Sequence, residues 1–265
     1  MASSALLDIQ LFLMALALTG PRAVVMLSLV PGFGGNTLAR STRAAVAFAI
    51  TLPAVLPTYN FLRDAEAGYL LLMMLGFKEA MVGLMLGVML AIPMWVAQSV
   101  GSILDTQRSP IQISNGNASV DRDASAVGAL LVQALVIVMI QAGLFVGVVR
   151  ILIESYGLWP AYSMAPPFEG VNMEVVMARF GEFLWHVVVY GAPVIIPLML
   201  IDFGMAIIGV FAPNLQVSFM SSPIKSLVGL LVLMLYWPTF SHYVVGDFAH
   251  IIDLLPSLLR GGALH

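Results

Sequence analysis

The chain contains no cysteine and little charge. Without thiols there are no disulfides, no thiolate metal sites and no cysteine nucleophile, whatever the compartment. Charged residues make up 9% of the 265 positions, against about 25% in an ordinary soluble domain. The net charge of -3 offers no basic face for nucleic acid. Catalytic signatures are missing as well: there is no H-E-x-x-H, phosphate-binding loop, G-x-G-x-x-G or G-x-S-x-G. An enzyme is therefore not expected. His186, His242 and His250 are scattered and read as polar handles at helix ends, and Asp121-Arg122-Asp123 lacks the spacing and glutamate of a calcium hand. No metal or cofactor is expected. No Lys or Arg precedes Arg22. A secretory signal needs a positive segment ahead of its apolar core, so residues 5–20 read as an uncleaved first hydrophobic helix.

What the chain has is apolar surface. Hydrophobic residues account for 60% of it, and the mean hydropathy is +1.00. A soluble fold of this size could not hide so much, so a multi-pass membrane protein is expected. Six apolar runs stand out, at about 5–31, 44–57, 69–100, 126–153, 184–211 and 224–245. A spanning helix takes about 20 residues, so the second run reads as too short. Proline interrupts several: Pro21, Pro53, Pro57, Pro93, Pro193 and Pro197. Interrupted helices at membrane depth are tolerated where they pack against protein or line a cavity. The expected fold is all-α, built of hydrophobic, proline-kinked helical hairpins inside a larger assembly. Residues 154–182, with Pro160, Pro166 and Pro167, read as a connector holding a short helix near 171–182. Run six is expected to end near Trp237-Pro238. The arginines do not assign the loops to sides of the membrane.

Three stretches carry polar chemistry. In the third run Gly76, Glu79, Gly83, Gly87 and Ala91 recur at three- and four-residue spacing, which puts them on one helix face. Gly83 and Gly87 let another backbone approach closely. Glu79 on the same stripe reads either as a hydrogen-bonded part of a packing face or as a proton or ion site. Lys78 is expected to point elsewhere, because adjacent helical residues do not face each other. Residues 101–125 form a long polar loop with Asp105, Arg108, Asp121, Arg122 and a turn-prone Asn115-Gly116-Asn117. The stretch 200–226 carries Asp202 inside an apolar run, breaks at Ala212-Pro213 with Asn214 and Gln216, and restarts at Pro223-Ile224-Lys225.

These segments resemble, in order and spacing, the T subunit of the type III secretion export gate, a family related to a flagellar export protein. The resemblance rests on Pro21-Arg22, Val30-Pro31-Gly32-Phe33, Lys78-Glu79-Ala80, Val82-Gly83-Leu84 and Gly87. It continues through Ala97-Gln98-Ser99-Val100-Gly101, Ile103-Leu104-Asp105-Thr106-Gln107-Arg108, Phe211-Ala212-Pro213 and Pro223-Ile224-Lys225-Ser226. It covers most of the chain and looks more like the virulence branch than the flagellar one. Val210-Phe211, Asn214-Leu215-Gln216 and Ser109 depart from the family's usual residues.

The resemblance implies a non-enzymatic core subunit of a multi-subunit, membrane-associated export gate in the bacterial inner membrane. Such a subunit helps assemble the gate and forms and closes the pore for unfolded secreted proteins. Implied partners are the R and S subunits, the U switch subunit, the V export subunit, the secreted substrates and membrane lipid. Residues 1–182 would resemble the R subunit, and residues 183–265 would form a hairpin resembling the S subunit. The pore plug would fall on Asp105, Gln107, Arg108, Asn115, Gly116, Asn117, Asp121 and Arg122. Subunit packing would fall on Gly76, Glu79, Gly83, Gly87, Asp202, Pro213 and Lys225. The alternative is a secondary transporter of a small solute using buried Glu79 and Asp202.

Overall fold

A computed structural model of the chain describes residues 2–30, 33, 39–64, 68–108, 125–165, 173–211 and 217–259. These residues form seven α-helices and no strand. They are α1 Ala2–Leu29, α2 Arg40–Asp64, α3 Tyr69–Arg108, α4 Ala126–Gln141, α5 Leu144–Leu158, α6 Met173–Phe211 and α7 Val217–Leu259. Five are long and apolar enough to cross a membrane, or six spans result if α4 and α5 count as one broken span. The all-α, multi-pass expectation holds.

Several boundaries differ from the sequence reading. Helix α2 is 25 residues long and qualifies as a span, with Pro53 and Pro57 inside it. Apolar counting cut it short, because Arg40–Arg43 and Tyr59–Asp64 extend the helix in polar and aromatic residues. The fourth run is two helices. They part at Gly143, whose φ of 72° is left-handed and favours glycine there. The connector's short helix is the start of α6, which runs unbroken to Phe211. Helix α7 passes through Pro238 to Leu259. Proline removes one ladder bond and kinks or weakens a helix, yet packing on the following turns carries α7 onward.

The chain divides into two compact units. The first comprises Met1–Ile92, Met139–Asn172 and Asp247–His265. Its helices α1 and α2 pack through Ala15, Val55 and Leu62, ringed by Leu11, Met14, Leu16, Tyr59, Phe61 and Leu72. The start of α3 lies against α1 at the glycine stripe. A Cβ on Gly83 would overlap the Arg22 backbone, and one on Gly87 would sit 2.9 Å from the Leu29 side chain and 3.1 Å from the Met26 Cα. The close approach expected of that pair is present, and its partner is α1 of this chain. Gly76 on the same stripe has open space beside it.

The second unit comprises Pro93–Val138 and Met173–Gly246. Helices α6 and α7 run antiparallel in it. Tyr190 meets Phe240 at 6.3 Å and Tyr243 at 5.8 Å between ring centroids, and the next contacts toward the turn are Leu198 with Gly229 and Asp202 with Lys225. The ends of α3 and α4 form a second hairpin. Gly101 and Gly128 face each other so closely that a Cβ on either would overlap the neighbouring backbone.

The α1–α3 contact makes a prediction. Gly83→Val should destabilise the purified protein in detergent by about 1–3 kcal/mol, the range for an overpacked contact. Gly76→Ala should be neutral or stabilising by up to about 1 kcal/mol. Thermal unfolding followed by tryptophan fluorescence checks both; equal effects of the two variants would contradict the packing.

Candidate functional site

The first unit has an ion network at its centre. Arg22 sits one residue after Pro21 in α1, and Glu79 sits on the glycine stripe of α3. Their close helix crossing brings the two side chains together with no solvent exposure. Arg22 Nη2 donates to Glu79 Oε1 at 2.8 Å and to the Trp159 carbonyl at 2.9 Å. Its Nη1 donates to Ser155 Oγ at 3.0 Å. The guanidinium lies 4.3 Å from the Tyr156 ring centroid, and the Tyr156 hydroxyl donates to the Thr19 carbonyl of α1 at 2.6 Å.

Lys78 belongs to the same cluster, which corrects the expectation that it points elsewhere. Its Nζ lies 2.7 Å from Glu79 Oε1. Adjacent side chains leave a helix in different directions, but the flexible four-carbon stem of lysine lets its ammonium swing back. The same ammonium donates to the carbonyls of Pro160 at 2.9 Å, Ala161 at 3.2 Å and Ser163 at 2.9 Å. Trp159 Nε1 also donates to the Ser163 carbonyl, at 3.0 Å. The turn after α5 is thus a cluster of carbonyl oxygens aimed at two cations. Two cations and one anion leave an excess positive charge, and these carbonyls with the Tyr156 and Trp159 ring faces offset it.

One half of the Arg22–Glu79 pair stays open. Arg22 Nε and Glu79 Oε2 are buried and make no hydrogen bond to any described residue. Nε and Nη2 lie on the same edge of the guanidinium, so the pair is one bond of a two-bond fork.

The second cluster lies in the second unit, at the base of the 109–124 segment. Asp105 sits one turn before the end of α3. Its Oδ2 accepts from Ser125 Oγ at 2.7 Å and from the Val127 N–H at 2.9 Å. Ser125 Oγ in turn accepts from the Gly128 N–H at 2.8 Å. The first N–H groups of a helix have no intrahelical acceptor. A hydroxyl cap and a carboxylate satisfy two of them here and complement the positive helix end. Lys225 donates to the Gln107 carbonyl at 3.4 Å and pairs with Asp202.

The sequence-chosen residues therefore fall into groups. Glu79, Gly83 and Gly87 meet α1 of the same chain. Asp105, Gln107, Asp202 and Lys225 gather around the loop base. Asn115, Gly116, Asn117, Asp121, Arg122 and Pro213 lie outside the described residues, as does the Arg108 side chain. Sequence reasoning missed Arg22 as the partner of Glu79, and it missed Ser125 and Gly128. The signal for Arg22 was a single cation deep in an apolar helix, which needs an anion on another helix. Among the described residues no group of His, Asp and Glu could hold a metal ion.

Replacing Asp105 with Ala should cost about 0.5–2 kcal/mol, the worth of a helix cap. Hydrogen exchange at the amides of Val127 and Gly128 should then accelerate while α5 stays protected. Unchanged exchange at these two amides would contradict the anchoring role.

Residues 13–251 match the family described as bacterial export proteins, family 1. The Yop proteins translocation protein T of Yersinia pestis is 35% identical over 165 residues, covering 62% of this chain and 63% of that protein. The match thus spans less than two thirds of that relative's length. The secretion system apparatus protein SsaT of Salmonella typhimurium is 27% identical over 184 residues, 68% of this chain and 71% of that protein. The flagellar biosynthetic protein FliR of Caulobacter vibrioides is 24% identical over 244 residues, 90% of this chain and 94% of that protein. The family match runs from α1 into the later part of α7 and takes in both clusters, so the chain belongs to the bacterial export proteins, family 1.

Proposed function

We propose that this chain is a core subunit of a type III secretion export gate in the bacterial inner membrane, where it helps build the gate and close its pore. The observation that carries the reading is the clamped base of the 109–124 segment. Gly101 against Gly128 and Asp105 on Ser125 and Val127 hold the two ends of that segment together, and Lys225 on Gln107 ties the α3 side to α7. Sixteen residues returning to a closed base reach up to about 26–29 Å at ~3.3–3.6 Å per residue each way. That is enough to cover an opening beside the helix ends. The segment is polar and turn-prone, and it fits a plug that must yield to an unfolded chain. The relatives named for secretion and flagellar biosynthesis support the same reading.

The expected partners are the R and S subunits, with the U switch and V export subunits alongside. Residues 1–182 would take the R-like role and 183–265 the S-like hairpin. A small-solute transporter is the weaker reading. It requires a carboxylate that a solute or ion can reach, whereas Glu79 has no solvent exposure and is held by two cations of its own chain.

Two measurements test the proposal. Co-expression with the R and S subunits of the same secretion system, followed by native mass spectrometry, should give one large complex containing this chain. Deleting residues 109–119 should leave that complex intact and make it leak ions across the membrane. A chain that stays alone contradicts the subunit role, and a tight pore after the deletion contradicts the plug.

A further inference from the structure

Three helices of the second unit meet in two stacked layers at the α3 end of the 109–124 segment. In the first layer Gly229 of α7 faces two buried leucines. A Cβ there would sit 2.8 Å from the Leu104 side chain of α3 and 3.4 Å from the Leu198 side chain of α6. In the second layer Lys225 of α7 lies between the Gln107 carbonyl of α3, at 3.4 Å, and the Asp202 carboxylate of α6. The step from 104 to 107, from 198 to 202 and from 229 to 225 is one helical turn on each helix. The lysine contact is therefore in register with the apolar packing beside it.

Helix α3 ends one residue after Gln107. The last four carbonyls of a helix have no intrahelical donor, so the Gln107 carbonyl is open to a donor from elsewhere. A cation at that place also complements the negative helix end. Lys225 supplies both. Its side chain is 6% exposed, and a buried ammonium needs a counter-charge. Asp202, 46% exposed, provides it from α6. The α3 turn held in this way also carries Asp105, whose carboxylate captures Ser125 and Val127 at the far end of the segment. A line of contacts thus runs from the α6–α7 hairpin through the end of α3 to the start of α4.

We propose that the α6–α7 hairpin governs the pore through Lys225, the positioning residue by which it holds the end of α3 and so the root of the plug. The proposal rests on the export-gate reading and adds the control of its plug. It gives Lys225 and Asp202 a task inside this chain. Lys225 caps α3, Asp202 keeps the ammonium in place, and movement of α7 away from Gln107 releases the root.

The first test is hydrogen exchange of the purified chain in detergent. Lys225→Met keeps the apolar stem and removes the donor. The amides of 105–108, with those of Val127 and Gly128, should exchange several-fold faster while α5 stays protected. Asp202→Asn keeps the side-chain size and should give the same pattern; it decides alone if Lys225→Met unfolds the chain. Unchanged exchange at these amides, or acceleration throughout the chain by Asp202→Asn, overturns the proposal. The second test is ion leak through the complex with the R and S subunits. Lys225→Met should leak, and adding it to the 109–119 deletion should leak no more than the deletion alone. A tight Lys225→Met complex, or two leaks that add, overturns the proposal, because a lysine acting through the plug has no effect once the plug is gone. If no complex forms, or the deletion complex is tight, the export-gate reading fails and this proposal falls with it. That outcome is distinct from a leaking deletion beside a tight Lys225→Met complex.

Discussion

The first unit depends on one carboxylate. Glu79 is the anion to which two buried cations on two helices turn, and among the described residues neither Arg22 nor Lys78 has another counter-charge there. In an apolar interior that loss is severe: breaking a buried pair from one side typically costs about 3–5 kcal/mol. The network also fixes geometry. It ties α1 to α3 through Arg22, α1 to α5 through Ser155 and Tyr156, and α3 to the 159–163 turn through Lys78. The glycine stripe makes this possible, since only bare backbone at Gly83 lets Arg22 come so near the helix that carries Glu79.

The second unit uses polar groups differently. Its buried core is aromatic and aliphatic, with Tyr190, Leu198, Phe240 and Leu104 prominent. The polar contacts sit where chain ends must be held. Asp105 and Ser125 cap the first turn of α4, and Lys225 joins α7 to the end of α3. The two hairpins of this unit are thus secured near the segment that the export-gate reading assigns to the pore.

Much of this was legible in the sequence, for identifiable reasons. Low charge and long apolar runs gave the helical, membrane-spanning class. The spacing of Gly83 and Gly87 gave the close helix approach. Asp202 stood out as an acid inside an apolar run, whereas Asp105 read as part of a polar loop over 101–125 and lies instead in the last turns of α3, which runs on to Arg108. The extent of α2 and α7 was not legible, because proline at Pro53, Pro57 and Pro238 marks a weakened helix but does not decide whether neighbouring packing carries it on. The break at Gly143 fell inside an apolar run punctuated only by Gln141, which reads equally well as a polar residue on a continuous helix. The partner of Glu79 was hidden by distance along the chain, since 57 residues separate it from Arg22. Lys78 was misplaced because helix geometry fixes the Cβ direction and leaves the ammonium free to return.

The central physical claim is that Arg22 and Glu79 act as a coupled pair holding the helices of the first unit. A double-mutant cycle with Arg22→Met and Glu79→Gln, read by unfolding of the purified chain in detergent, tests it directly. The account predicts that each single change destabilises strongly and that the double change costs less than the two together, with a coupling of at least about 1 kcal/mol. Effects that add to within about 0.5 kcal/mol would contradict it.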